Sequence, residues 1–193
     1  MATIFIIHGS YGHPGENWFP WLKKELEKIG HQVFVPKFPI PATRDEAYSG
    51  HDLKAWLATM DEYKKYIHKR TIFVGHSRGC IFLYKFLEYL VQPVQVVFLV
   101  APWINYHWYP KGWKTIDSFH ETPFQWEKIK HGSKYFEVYQ STNDYTSIAE
   151  GREIADTLGA TFITVENAGH FNIASDPKYK TFELLLENIK KIL

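Results

Sequence analysis

Thr71-Ile72-Phe73-Val74-Gly75-His76-Ser77-Arg78-Gly79 is the stretch on which the fold turns. Its first four residues are β-branched or aromatic, as a buried strand requires. Its last five form a Gly-x-Ser-x-Gly elbow, a sharp turn that carries the chain from a strand into a helix. Beyond it, Cys80, Leu83, Tyr84, Leu87, Leu90 and Val91 fall on one face at helical spacing. In such a turn the Ser77 hydroxyl stands clear of the backbone, while Gly75 and Gly79 let strand and helix pass closely. A serine hydroxyl is a weak nucleophile until a neighbouring base takes its proton. The competing reading is a plain strand–helix corner with a capping serine, and the rest of the chain decides between them.

Working outward, six runs read as strands: Thr3–Ile7, Gln32–Pro36, Thr71–Gly75, Val94–Ala101, Tyr135–Gln140 and Thr161–Glu166. Helical patterns lie between them. Trp18, Trp21, Leu22, Leu26 and Ile29 form one face ended by Gly30, and Thr43 with Glu46 predicts a capping box opening a helix through Trp56 and Leu57. Ser147 with Glu150 repeats that signal before a helix closed by Gly159. Asp176-Pro177 is expected to cap the last helix, striped by Phe182, Leu185, Leu186, Ile189 and Ile192. This alternation predicts a three-layer α/β fold, a parallel sheet with helices on both faces. Pro36, Pro39 and Pro41 predict a stiff surface loop. Two excursions break the rhythm, a Gly- and His-rich loop at His8–Glu16 and an aromatic-rich insertion over 102–132. Both leave from carboxyl ends of strands, where open α/β sheets bind ligands.

The 193 residues suit a single domain, 1–193. Hydrophobic content of 45% and charged content of 22% fit a soluble globular protein. Twenty-two basic and 21 acidic residues give a net charge of +1, so no strong field favours nucleic acid or an anionic membrane. The single Cys80 excludes an internal disulfide and suits a reducing compartment, and no apolar run is long enough to span a bilayer. A cytoplasmic protein is expected, with neither a nucleic-acid nor a membrane partner. Without His-Glu-x-x-His, paired cysteines, a histidine cluster at ligand spacing or Gly-x-Gly-x-x-Gly after a strand, no metal and no cofactor is expected.

An activated serine needs a histidine, and the histidine needs an acid that fixes its tautomer. In elbow folds the chain order is Ser, then Asp or Glu, then His, each partner following a later strand. The fifth strand runs into Ser141-Thr142-Asn143-Asp144 and the sixth into Asn167-Ala168-Gly169-His170. Ser77, Asp144 and His170 are therefore the candidate catalytic set, with His170 taking the Ser77 proton and Asp144 holding the other ring nitrogen. His31, His68, His107, His120 and His131 have no strand to bring them to the elbow. His76 is expected to fix the elbow, and His8 to shape the loop after the first strand. Asp117 and Glu166 are the rivals for Asp144. The oxyanion donors are expected to be the backbone N–H of Arg78 and that of Ser10, or alternatively Tyr11. Tyr11, Trp103 and Trp108 are candidate substrate contacts, although the insertion's aromatics could equally serve only to pack it.

His8-Gly9 with Trp18-Phe19-Pro20-Trp21-Leu22, the Gly-His-Ser-Arg-Gly elbow, Phe124-Gln125-Trp126-Glu127-Lys128-Ile129-Lys130 and Gly169-His170-Phe171 together resemble the retinoblastoma-binding-protein-9-like serine hydrolases. These are a compact branch of the α/β-hydrolase superfamily. The resemblance covers nearly the whole chain. It implies a Ser–Asp–His triad at Ser77, Asp144 and His170, hydrolysis of small esters or amides, and a six-stranded α/β-hydrolase sheet lacking the first two strands of the full fold, with no separate lid domain. The Leu-x-Cys-x-Glu motif for the retinoblastoma pocket is absent, so that partner is not expected. A catalytically weak protein-interaction module on the same fold is the alternative to a small-molecule hydrolase.

Overall fold

The computed structural model describes residues 1–42, 51–105 and 118–193. Strands β1 (Thr3–Ile7), β2 (Gln32–Phe34), β3 (Thr71–His76), β4 (Val96–Val100), β5 (Phe136–Ser141) and β6 (Thr161–Val165) form one sheet in the order β2-β1-β3-β4-β5-β6. Every pairing is parallel. Ile7 lies beside Gly75, His76 beside Val100 and Ser141 beside Val165, so the carboxyl ends of the strands form one rim.

The two-residue period of a strand divides the apolar residues between two cores. Phe5, Ile7, Phe73, Val97, Leu99 and Val138 face α2 (Leu53–Asp61), α3 (Arg78–Leu87) and α5 (Ile148–Leu158). Ile4, Ile6, Ile72, Val74, Val96, Phe98 and Val100 face α1 (Phe19–Lys28) and α6 (Glu183–Ile192). A short helix, α4 (Trp126–His131), follows the insertion and adds Ile129 to the first core. Burying one Leu, Ile or Phe side chain contributes about 1.5–3 kcal/mol, and the two faces bury 15 and 12 such residues, so both layers are firmly held. The three-layer expectation is met, and all six strands fall where predicted with small changes at their ends.

Four local expectations need correction. The helical face predicted after the elbow runs through Val91, but α3 ends at Leu87 and Val91 is 97% exposed, because the chain must turn there to reach β4. Ile29 of the α1 stripe lies past the helix and is exposed, while Gly30 takes the left-handed φ of 87° that closes it. Asp176 does accept from an amide ahead of it, Lys178 N–H, but the element it caps is a single 3-10 turn at Pro177–Lys180. An extended Thr181 separates that turn from α6. The proline-rich loop is not merely superficial: Phe38 is buried, and Trp56 Nε1 donates to Pro39 O at 2.8 Å. Helix α2 begins at Leu53, capped by Asp52, whose carboxylate accepts the Lys54 N–H. Thr43 and Glu46 lie outside the described residues, as do Tyr106, His107, Trp108, Tyr109, Trp113 and Asp117. Among the described residues no helix is long and apolar enough to cross a membrane.

Candidate active site

The elbow is strained where chemistry needs it. Ser77 has φ 54° and ψ −121°, a conformation that costs about 1–3 kcal/mol for a non-glycine residue. Its backbone is held by Ser77 N–H donating to Val100 O at 2.9 Å and by Cys80 N–H donating to Ser77 O at 2.8 Å. Gly79 is demanded by space, since a Cβ there would stand 2.4 Å from Ile7 O. Arg78 is the first residue of α3, so its N–H belongs to the turn of amides that no carbonyl of the helix itself accepts.

The loop after β1 lies directly against the elbow. A Cβ on Gly9 would fall 2.9 Å from Ser77 Cβ and 3.4 Å from its Oγ. Gly9 to Gly12 form a turn closed by Gly12 N–H on Gly9 O at 3.1 Å, with Ser10 and Tyr11 at its centre and Tyr11 at φ 55°. His8 fixes this loop as expected: its Nδ1–H donates to Gly9 O at 2.9 Å and its Nε2 accepts the Phe38 N–H at 3.1 Å. Burial lowers its pKa to about 4, which keeps the ring neutral for both bonds. The Arg78 side chain also reaches this loop, its Nε donating to Ser10 Oγ at 2.7 Å while the guanidinium packs between the Trp103 and Phe119 rings. Sequence reasoning claimed only the backbone of Arg78 and Ser10, and left this side-chain tether unseen.

Asp144 and His170 meet. His170 Nδ1–H donates to both carboxylate oxygens of Asp144, at 2.9 and 3.0 Å, and the Asp144 side chain is fully buried. Three residues preceding Asp144 join the two loops. Ser141 Oγ accepts Ala168 N–H at 2.9 Å, Thr142 Oγ1 accepts Asn167 N–H at 3.0 Å, and Asn143 Oδ1 accepts Gly169 N–H at 2.7 Å. Glu166, the rival acid, is exposed and accepts the Thr142 hydroxyl instead. The other rival, Asp117, lies outside the described residues. His76, expected to fix the elbow, ties it to the loop that carries the base, with Nε2–H donating to His170 O at 2.8 Å; burial lowers its pKa to about 3, so that ring too stays neutral. Burial also pushes the Cys80 thiol up, and its Sγ–H donates to Gly75 O and Val100 O, as an inert packing residue.

On His170 Nε2 the structure departs from expectation. The hydroxyl bonded there is that of Tyr145, at 2.8 Å, with its ring packed on the imidazole at a centroid distance of 4.3 Å. Among the described residues no hydrogen bond joins Ser77 Oγ to the ring. Ser77 and His170 nonetheless line one cavity of about 630 Å³ with Ser10, Tyr11, Trp103 and Tyr145. Trp103 is buried and its ring is stacked on that of His120 at 5.5 Å. Of the candidate substrate contacts, Tyr11 and Trp103 line this cavity, while Trp108 lies outside the described residues. Tyr145 was missed because nothing in its type or spacing says which way a side chain beside the acid will turn.

The insertion is tied down at both described ends. Glu150 Oε1 accepts the N–H groups of Ile104 and Asn105 at 2.9 and 2.6 Å. The capping box expected at Ser147 is therefore half made: the serine hydroxyl accepts Glu150 N–H at 3.4 Å, but the carboxylate serves the insertion instead. At the other end buried Lys85 donates to Thr122 O at 2.8 Å and Ser118 Oγ–H donates to His51 O at 3.0 Å.

Comparison with known proteins agrees with this architecture. A model of the family described as serine hydrolase matches residues 4–188. YdeN of Bacillus subtilis (strain 168) is 30% identical over 174 residues, covering 87% of this chain and 85% of that protein. Serine hydrolase RBBP9 of Rattus norvegicus is also 30% identical over 174 residues, covering 88% of this chain and 86% of that protein. The crystal structure of the ydeN gene product from B. subtilis superposes with a TM-score of 0.85 at 26% identity, covering all of this chain and 98% of that one. The fold is that of the α/β-hydrolases.

Proposed function

This chain belongs to the serine hydrolase family, and on that premise we propose that it cleaves small ester or amide substrates through an acyl-enzyme on Ser77. The observation that carries the reading is the doubly bonded Asp144–His170 pair opening onto the same cavity as the strained Ser77. In this account His170 Nε2 takes the Ser77 proton as Oγ attacks the acyl carbon. Asp144 keeps the proton of Nδ1 in place and stabilises the imidazolium that forms. The tetrahedral oxyanion is received by the N–H of Arg78 at the head of α3, where the helix dipole favours negative charge, and by that of Ser10 or Tyr11. His170 then gives its proton to the leaving group, and water activated by the same ring releases the acyl group. The reaction needs no metal or cofactor in this account.

The cavity's volume suits a small substrate, and Trp103 with Tyr11 offers it aromatic walls. A panel of short-chain esters, aryl esters and aminoacyl amides, with Ser77→Ala as blank, tests the reading. Turnover of at least one ester or amide series that vanishes in Ser77→Ala supports a hydrolase. Equal background rates in both proteins across the panel favour an interaction module on the same fold.

A further inference from the structure

The lone pair on His170 Nε2 is the one that the proposed reaction requires, and a side chain other than the nucleophile holds it. Asp144 takes Nδ1–H from both of its oxygens, which fixes the tautomer with Nε2 as acceptor. Tyr145 O–H therefore donates to Nε2, at 2.8 Å. Tyr145 follows the acid directly in sequence, so the same loop that anchors Asp144 delivers this hydroxyl. Tyr145 is 58% exposed, unlike the rest of the set: Ser77 is 7% exposed and His170 5%. Ser77 is locked by its backbone bonds and Asp144 by burial.

We propose that Tyr145 is a positioning residue that competes with Ser77 for His170 Nε2, holding the serine unactivated until substrate displaces the tyrosine hydroxyl. The proposal rests on the reading of Ser77 and His170 given above. Nε2 must face first the Ser77 proton and then the leaving group, and Tyr145 O–H is bonded to that same nitrogen. Tyr145 and Ser77 line the same cavity, and Tyr145 is the more exposed of the two. Displacing it frees the lone pair, and the ring then remains as a wall on the leaving-group side. Among the described residues, the charged and titratable groups facing the imidazole are Asp144 on its loop, Tyr145 beside it and His76 from β3, whose ring centroid lies 5.0 Å away. Of these, His76 is kept neutral by burial and Asp144 is the fixed counter-charge. Tyr145 is the one that a conservative change removes without disturbing the pair.

The test is the rate at which a fluorophosphonate probe labels the full-length protein, in wild type and in Tyr145→Phe, each with a Ser77→Ala counterpart. The phenylalanine keeps the ring and removes only the hydroxyl. Labelling that depends on Ser77 and is about two- to tenfold faster in Tyr145→Phe is expected, the range that one ordinary hydrogen bond commands. With an ester substrate the gain is expected in KM and not in kcat, since the tyrosine hydroxyl holds only the free enzyme and substrate must displace it. A residue that merely packs would move neither. Ser77-dependent labelling that is equal or slower in Tyr145→Phe, or an unchanged KM, overturns this proposal alone. Absence of Ser77-dependent labelling in both proteins overturns the reading of the site, and the proposal with it.

Discussion

Asn143 Oδ1 accepts the Gly169 N–H at 2.7 Å, which joins the two loops one residue ahead of Asp144 on one side and of His170 on the other. The same oxygen accepts the Ser141 hydroxyl at 2.8 Å, and Ser141 Oγ in turn accepts Ala168 N–H. The acid and the base are thus set by one hydrogen-bonded strip between the ends of β5 and β6. Gly169 takes φ 53°, and a Cβ there would stand 2.4 Å from Ser175 Cβ, so the strip also depends on glycine beside the histidine.

Loosening that strip should therefore cost turnover more than stability. Asn143→Ala removes the acceptor from an exposed position outside both cores. Ester hydrolysis is expected to fall about 10- to 100-fold, the scale at which small misplacements of catalytic groups act. The far-ultraviolet circular dichroism spectrum should be unchanged. Full activity in this variant would show that the strip does not position the pair.

The acid itself is tested by exchanging its chemistry without its shape. Asp144→Asn places an amide where both oxygens now accept from Nδ1, so the ring is turned to the wrong tautomer. A loss in kcat of about 10⁴-fold is expected, as in other hydrolases built on this arrangement. Glu166→Gln, beyond reach of His170 and bonded to Thr142, should leave kcat within about twofold. Steady-state kinetics on one ester substrate separates the two.

Two glycines at the elbow carry distinct consequences. Gly79→Ala would set a methyl 2.4 Å from the Ile7 carbonyl oxygen, a backbone atom that cannot yield cheaply. Thermal unfolding should show a loss of about 1–3 kcal/mol. Gly9→Ala meets Ser77 Cβ at 2.9 Å and shifts the loop that carries Ser10 and Tyr11. Its expected signature is a fall in kcat/KM of about 10²- to 10³-fold, the size of one lost oxyanion donor, on top of a destabilisation of the same order as that of Gly79→Ala.

Much of this was legible before any coordinates. The two-residue and 3.6-residue periods located every strand and the helices flanking the elbow, because burial imposes those periods directly on residue type. Chain order then placed Asp144 and His170 on neighbouring loops at one rim. What the sequence withheld was side-chain direction at short range. Tyr145 and Asn143 flank the acid, yet one turns to the imidazole and the other to the neighbouring loop; neighbours in sequence cannot reveal that. Glu150 and Asp176 show a second limit. Their capping signals were read correctly at the amide, but tertiary contacts redirected the Glu150 carboxylate, and an extended Thr181 cut the last helix short.

Acid stability follows from three histidines whose protonation burial opposes. Burial lowers His8 and His120 to about 4 and His76 to about 3, whereas each titrates near 6.5 in the unfolded chain. Between those values the unfolded state binds protons that the folded state refuses, so stability is intact above about pH 6.5 and is lost as pH falls toward 4. The loss is about 1.4 kcal/mol per pH unit for each ring. Melting temperature measured from pH 7 to pH 4.5 should decline steadily. A flat profile over that range would mean that the three rings are not held neutral.

The central claim is that the Ser77 oxygen attacks, and mass spectrometry of the protein after brief incubation with a fluorophosphonate tests it most directly. The account predicts a single covalent adduct on the peptide containing Ser77, absent from Ser77→Ala and strongly reduced in His170→Ala. An unmodified Ser77 peptide, or an adduct formed equally well without His170, would contradict it.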